Sequence, residues 1–374
     1  MVNAVRQGED PTQLLRHAHG ILLCQSNTLF KEAVQIGSGR NGTVYMLRST
    51  LARQYFGCSF SVVLKELNAR RLIEHLHRPS QMDDGHLICT SQIASEALNG
   101  ALATELHNNG STPHFVRQLC FFSCQDRCYL VYEFCGYRLR NQTYRSITLY
   151  KIPRVLKVPV SEEIVMELLF SVLHTLWIAQ KCYGQVHYDL KPDNIFVQPI
   201  TSVSEFNGVR LDQVEYFGYC LADDETGQNY CYYMKNRNFL LKLGDYGTTV
   251  STRVKRDDGE SIAVMPAAVW NNNDKLRSTF GIGRDFQPGY DTHFFLPQLV
   301  KLCAAWAVPV PAGLEKLIHD NGVEVNTKTY RPAGPVLAKT PYELIMETDW
   351  SPYLCSGINI SEHQTVLIGS CLWH

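Results

Sequence analysis

The sequence predicts an α+β protein in two unequal lobes, a small antiparallel-sheet lobe carrying one helix and a larger, mainly helical lobe. Three observations carry that expectation. At 374 residues the chain exceeds what one hydrophobic core usually needs. Between Phe30 and Phe134, short apolar runs rich in Val, Phe and Tyr alternate with Gly and polar turns, the texture of strands. From Ser161 the pattern becomes helical, beginning with SEEIVMELLFSVLHTLWIAQ.

The elements follow in order. Residues 1–30 form an N-terminal leader with one or two amphipathic turns, 31–135 the small lobe and 136–374 the large one. Strands are expected around Ala33–Ile36, Thr43–Arg48, Phe60–Leu67, Phe115–Phe122 and Cys128–Tyr132. Thr90–Leu106 interrupts them as a helix, because Ile93, Ala97, Leu98, Ala101 and Leu102 recur at helical spacing. In the large lobe Ser161 is the expected N-cap, and Glu162 and Glu163 suit the positive end of the helix dipole. Residues 198–238 are polar, tyrosine-rich and contain glycine, an insertion expected to form a loop or small hairpin. After about Val300 only a helical finish is expected.

Composition narrows the function. Charged residues are 19% of the chain, with Lys+Arg 35 against Asp+Glu 36, so no broad basic face for nucleic acid is expected. No stretch approaches the ~18 consecutive apolar residues of a membrane span. The N-terminus lacks a basic segment followed by a sustained apolar run, so no secretory signal is expected. The 13 cysteines are scattered, odd in number and without a C-x-x-C pair, which fits reduced thiols in an intracellular protein, cytoplasmic or nuclear. Cys120, Cys124 and Cys128 have a regular spacing, but burial along a strand and its hairpin accounts for it as well as a metal site does.

Four constellations carry chemistry. The first is Gly37-Ser38-Gly39-Arg40-Asn41-Gly42-Thr43-Val44, where missing β-carbons let the backbone approach phosphates. A Gly-rich hairpin turn would explain the run as well, and a dinucleotide site would need a helix directly after it, where Thr43–Leu47 looks like a strand. The second is Lys65 at the end of the β-branched run Val62-Val63-Leu64, an ammonium that needs an anionic partner if it is partly buried. Glu96 on the expected helix is the candidate, with Glu105 on the same segment. The third is His187-Tyr188-Asp189-Leu190-Lys191-Pro192-Asp193-Asn194: a carboxylate to accept a proton from a hydroxyl, a lysine to balance charge and an amide oxygen to bind metal. The fourth is Leu241-Lys242-Leu243-Gly244-Asp245-Tyr246-Gly247, which offers a second metal ligand in Asp245.

Taken in this order, the motifs resemble those of eukaryotic-type serine/threonine protein kinases over roughly Glu32 to Val300. The resemblance implies a protein-kinase-like fold, ATP and Mg2+ as cofactors, and protein substrates presenting Ser or Thr hydroxyls. It places nucleotide binding on Ile36, the loop Gly37–Val44, Val63, Lys65, Glu96, the hinge Glu133-Phe134-Cys135 and Phe196. Val44, Val63 and Phe196 would sandwich the base, and Tyr132 would guard the deeper pocket. Asp189 takes the catalytic role, Lys191 marks the serine/threonine subgroup, and Asn194 and Asp245 hold the metal. The family's buried helix-starting Asp falls within Tyr290-Asp291-Thr292-His293.

Some positions depart from the family. Tyr188 stands where an arginine usually precedes the catalytic Asp, Tyr246 replaces the usual Phe, and Pro266-Ala267-Ala268 is the nearest remnant of the missing Ala-Pro-Glu. Asn194 and Asp245 are further apart than is usual, which the insertion explains. With Lys339-Thr340-Pro341-Tyr342-Glu343-Leu344 and the run Tyr290–Leu296, the chain looks similar to divergent kinases encoded by large eukaryotic DNA viruses, which would place it in a host cell. A pseudokinase scaffold and a small-molecule kinase are the competing functions. Retention of Lys65, Asp189, Asn194 and Asp245 argues against the first, and the intact His-x-Asp-Leu-Lys-Pro-x-Asn run against the second.

Overall fold

The computed structural model describes residues 6–7, 32–39, 42–67, 81–83, 86–89, 92–124, 127–138, 144–156, 159–202, 204–223, 226–266, 287–326, 332–333, 336, 339–355 and 363–369. Strands β1 (Val34–Gly39), β2 (Gly42–Leu47), β3 (Val62–Leu67), β6 (Gln118–Cys124) and β7 (Arg127–Glu133) form an antiparallel sheet in the order β1-β2-β3-β7-β6. Period-2 alternation gives β3 two faces. Val62 and Leu64 are fully buried with Leu47, Phe122 and Val131. Val63 and Lys65 face the other way, into a cleft.

Helix α1 (Ser49–Phe56) covers the first face with Leu51 and Ala52. It was not foreseen from the sequence. It has only eight residues, and its N-cap Arg48 offers no side-chain acceptor. Its one local sign is Gly57, left-handed at φ 69 and closing on the carbonyls of Ala52 and Arg53. Helix α2 (Gln92–Asn108) replaces the expected Thr90–Leu106. Strand β6 begins three residues later than expected because Phe115–Arg117 is diverted: the Val116 N–H donates to the Leu243 carbonyl at 2.8 Å, outside the sheet.

Helix α3 (Glu162–Tyr183) is buried along almost its whole length. The Ser161 hydroxyl accepts from the Ile164 N–H, and Gly184 ends the helix left-handed at φ 55. Two residues of β10 (Gln185–Val186) then lead into the motif beginning at His187. Strand β11 (Ile195–Pro199) pairs antiparallel with β16 (Phe239–Leu243), with Ile195 opposite Leu243. That register brings Asn194 beside Gly244, whose N–H donates to the Asn194 carbonyl at 3.0 Å.

Between these strands lie the short hairpin β12 (Glu205–Phe206) and β13 (Val209–Arg210), and the longer β14 (Tyr216–Ala222) and β15 (Asn229–Lys235). Two short pairs, β8 (Gly136–Arg138) with β9 (Tyr144–Ser146) and β19 (Glu324–Val325) with β20 (Pro332–Ala333), lie elsewhere in the chain. The expected helical finish is corrected in part. Helices α4 (Tyr290–Trp306), α5 (Ala312–Asp320) and α6 (Pro341–Glu347) are followed by strand β21 (Thr365–Ile368), parallel to β14. Its run Thr-Val-Leu-Ile suits a strand, and the edge of β14 supplies its hydrogen bonds.

A second five-stranded sheet was also unforeseen. Strands β17 (Val250–Lys255) and β18 (Ser261–Pro266) join β10 to β5 (His86–Cys89) and β4 (Gln81–Asp83), in the order β10-β17-β18-β5-β4. Pro266 of the expected Pro266-Ala267-Ala268 remnant therefore ends a strand, and Ala267 and Ala268 lie outside the described residues. No described helix is long and apolar enough to cross a membrane.

Candidate active site

The β1–β2 hairpin roofs a cleft of about 310 Å³. Gly42 is the glycine this hairpin cannot replace. Its φ is 148, and a β-carbon there would lie 1.8 Å from the Glu66 carbonyl oxygen. Ile36, Gly37 and Val44 line the cleft, whereas Ser38, Gly42 and Thr43 do not. Along a hairpin only part of each strand faces one side, so the motif overstates the contact surface. Arg40 and Asn41 lie outside the described residues. Val63 and Phe196 supply further apolar wall, with Cys135 at the strand end.

Three charges meet inside. The Lys65 ammonium donates to Glu96 Oε1 at 2.6 Å and to Asp245 Oδ1 at 3.1 Å. Tyr132 adds a hydroxyl bond to the same Glu96 oxygen at 3.0 Å, placing its ring at the inner end of the cleft. Burial alone would lower the Lys65 pKa, but the carboxylates of Glu96 and Asp245 outweigh it and raise it. Burial pushes the Glu96 carboxyl up, against the pull of Lys65. Burial also acts to raise Asp245, yet the Lys65 charge prevails and holds it low, an ionised carboxylate. Of the two glutamates on this helix, Glu96 is the one that meets Lys65, and Glu105 pairs with Arg6 at 3.1 Å.

Asp189 and Lys191 are not among the cleft walls but are tied to them. Lys191 Nζ lies 2.6 Å from Asp189 Oδ2, and Asn194 Nδ2 donates to Asp189 Oδ2 at 3.0 Å and to its carbonyl at 2.9 Å. With its amide nitrogen committed, Asn194 keeps its amide oxygen, and both Asn194 and Asp245 line the cleft. The loop is held from below by buried Asp291, which accepts the His187 N–H at 2.7 Å and the Tyr188 N–H at 2.8 Å. His187 Nε2 donates to the Gly244 carbonyl at 2.9 Å, joining this loop to the Asp245 turn. Tyr188 and Asp245 are both left-handed, at φ 60 and 67, a strain that neighbouring bonds must hold. Tyr246 is buried, its hydroxyl donating to the Val116 and Leu243 carbonyls at 3.0 and 2.8 Å.

The hinge expectation rests on backbone hydrogen bonds to a ligand. Glu133 does border the cleft, but its side chain is spent behind it, on Lys242 at 2.5 Å and Arg117 at 3.0 Å. Burial acts against its charge, but Lys242 and Arg117 prevail and bring its pKa down to about 2. Only its backbone is left to meet a ligand. Sequence reasoning also missed Val116, Ser146 and Gly244 on the walls. Gly244 had a signal, standing next to Asp245, and a β-carbon there would press within 2.9 Å of Val116. Val116 was hidden in an expected strand, and Ser146 carried no signal. Among the described residues no group of three or more His, Cys, Asp or Glu side chains could hold a metal.

A small antiparallel sheet with several helices, and a strand lysine paired to a helix glutamate, is compatible with a protein-kinase-like fold. A sequence relative points the same way. A protein of Invertebrate iridescent virus 6 named as a probable serine/threonine-protein kinase is 26% identical over 269 residues, covering 69% of this chain and 44% of that protein. The chain thus spans less than half of that relative's length, and the likeness supports a kinase-like relationship. No protein-family model matches the chain.

Proposed function

We propose that the chain is a magnesium-dependent kinase that transfers the γ-phosphoryl group of ATP to Ser or Thr hydroxyls of proteins. The observation that carries this is the meeting of Lys65, Glu96 and Asp245 in one cleft, beside the Asn194 that holds Asp189. In this reading a small lobe, 31–135, and a large lobe, 136–374, enclose the nucleotide. The apolar walls Val44, Val63 and Phe196 take the adenine, and the backbone of Glu133 and Cys135 orients it.

The donor set fits a hard cation. Asp245 and Asn194 present oxygens, and one lysine against two carboxylates leaves an excess negative charge. Magnesium bound there would neutralise phosphate charge and fix its geometry. Lys65, held by Glu96, binds phosphate oxygens. Asp189 orients the attacking hydroxyl and takes its proton, while Lys191 balances charge beside it.

The test is incubation with labelled ATP, Mg2+ and a generic protein substrate, followed by identification of the labelled amino acid. Asp189→Asn is expected to keep nucleotide binding and lose about 10²–10⁴ in turnover. Near-normal turnover in that variant removes Asp189 from its role. Nucleotide binding without any transfer by the unaltered chain would favour a scaffold.

A further inference from the structure

The segment after Asp245 is built into the second sheet from both sides. β17 pairs antiparallel with β10, Gln185 opposite Ser251 and Val186 opposite Val250. β18 pairs parallel with β5, from Ala263 opposite His86 to Pro266 opposite Cys89. β10 leads directly into His187–Asp189, and β5 ends three residues before α2, the helix that carries Glu96. One sheet therefore joins the chain entering the catalytic loop, the segment leaving Asp245 and the strand feeding the Glu96 helix.

Buried side chains reinforce the joint. Ser251 Oγ donates to Asn99 Oδ1 at 2.6 Å, Asn99 Nδ2 donates to the Thr249 carbonyl at 2.8 Å, and Gln185 Nε2 donates to Ser251 Oγ at 3.2 Å. Asn99 lies one helical turn beyond Glu96, so its bonds set how that helix sits on the segment. Tyr188 completes the joint with apolar contact. Its ring belongs to a cluster with Val186, Val250, Ala263, Met265 and Tyr290, and lies 4.9 Å from the Tyr290 ring.

We infer that this packing holds residues 246–266 and the Glu96 helix in their working arrangement without a phosphate on that segment, with Asn99 and Tyr188 as positioning residues. The inference rests on the kinase reading and specifies its regulation. A phosphate orders a loop by gaining charge-assisted bonds to cations; Tyr188 offers none, and of Arg253, Lys255 and Arg256 on the segment itself, Lys255 stands opposite Ser261 on strands that are already paired. Most of the segment's hydroxyls are also buried or bonded. Thr249 and Ser251 are buried, and Thr248 and Thr252 donate to the carbonyls of His187 and Gly184 at 3.0 and 3.2 Å. Of the hydroxyls between Thr248 and Ser261, Ser261 alone is exposed. A dianion on Ser251 would break the Asn99 network, so modification there inactivates.

The experiment uses the full chain, stripped by a phosphatase and shown by mass spectrometry to carry no phosphate. It is expected to transfer phosphate at its full rate from the first turnovers, with slow hydrogen exchange across 250–255 and 261–266. Asn99→Ala and Ser251→Ala each lower kcat, by about tenfold to a hundredfold, with KM for ATP little moved. The double variant loses no more than the worse single one, because the pair acts as a unit. Tyr188→Phe, which keeps the ring, retains more activity than Tyr188→Ala. A stripped enzyme that gains activity only as phosphate returns to the segment overturns the inference, as does fast exchange over both strands. A chain that transfers nothing in any state sinks the kinase reading instead, and the exchange measurement then decides the inference by itself.

Discussion

Lys65, Glu96 and Asp245 in the cleft and Glu133, Lys242 and Arg117 behind it are both clusters of three charges, and Asp245 and Lys242 come from the same short stretch of chain. The front cluster has one cation to two carboxylates, and Asp245 keeps 43% of its side chain exposed. The rear cluster has one carboxylate to two cations, with Glu133 and Lys242 at 1% and 2% exposure. Its surplus positive charge is carried by Arg117, half-buried and lying over the Phe60 ring at 4.7 Å. The rear cluster is closed, each buried charge matched by protein. The front one leaves a carboxylate in deficit and open to solvent, the condition for receiving a cation from outside. Similar groups thus form a strut in one place and, in the proposed function, a binding site in the other, and accessibility with charge balance makes the difference.

Mutation should separate the two clusters most sharply. Asp245→Asn or Lys65→Met is expected to cost transfer on the order of 10²–10³ while leaving the melting temperature close to that of the parent. If either variant instead unfolds the chain with activity intact per folded molecule, the front cluster is a strut too. Lys242→Ala should do the reverse. It takes the closer of two cations from buried Glu133 and leaves Arg117 as its partner, at a cost of about 2–3 kcal/mol in denaturant unfolding, while folded molecules keep much of their nucleotide affinity. A loss below about 1 kcal/mol would mean that water reaches the rear cluster.

Acid should weaken the molecule in two stages. Burial lowers His114 to about 4 and His174 to about 3, from an ordinary 6.5, so both are neutral when folded. Their ring N–H groups donate to the carbonyls of Leu241 and Cys220, at 2.8 and 3.0 Å. The unfolded chain takes up protons first, so their contribution to stability is present above pH 6.5 and declines as pH falls toward 4. The Glu133 contribution, from a pKa lowered to about 2 from 4.5, holds above pH 4.5 and fades only below it. Unfolding free energy measured from pH 7.5 to 4 should therefore fall before the carboxylate range is reached. A flat profile down to pH 4 would show that the histidines are not held neutral.

The smallest effect belongs to Tyr132. Removing its hydroxyl in Tyr132→Phe takes one bond from Glu96, worth about 1 kcal/mol, and should lower transfer by less than tenfold. Tyr132→Ala should open the inner end of the cleft, so that ATP-site inhibitors needing that space bind the variant better than the parent. Equal affinity for both proteins would place Tyr132 elsewhere than at the gate.

Much of the site was legible because its signals are local. Alternation along Val62–Leu67 sends Lys65 to one face whatever else the chain does, and Gly42 announces a backbone position that no side chain tolerates. The spacing of Asp189, Lys191 and Asn194 brings the three together within a single turn of chain, as their mutual bonds record. Helix α3 could be placed from its cap and its apolar width.

What the sequence by itself determined, then, was which residues have the chemistry and which way their own strand or helix turns them. Tertiary structure alone decided which partners they meet. Glu96 is the candidate partner of Lys65 with Glu105 on the same helix, and it is Arg6, from far up the chain, that engages Glu105. Nothing local to Glu133 shows that Lys242 will meet its side chain behind the cleft. The parallel pairing of β18 with β5 leaves no local trace at all. The physical reason is that periodicity reports one element's burial, whereas a pairing is a competition among all strand edges and charges that the folded chain brings into reach.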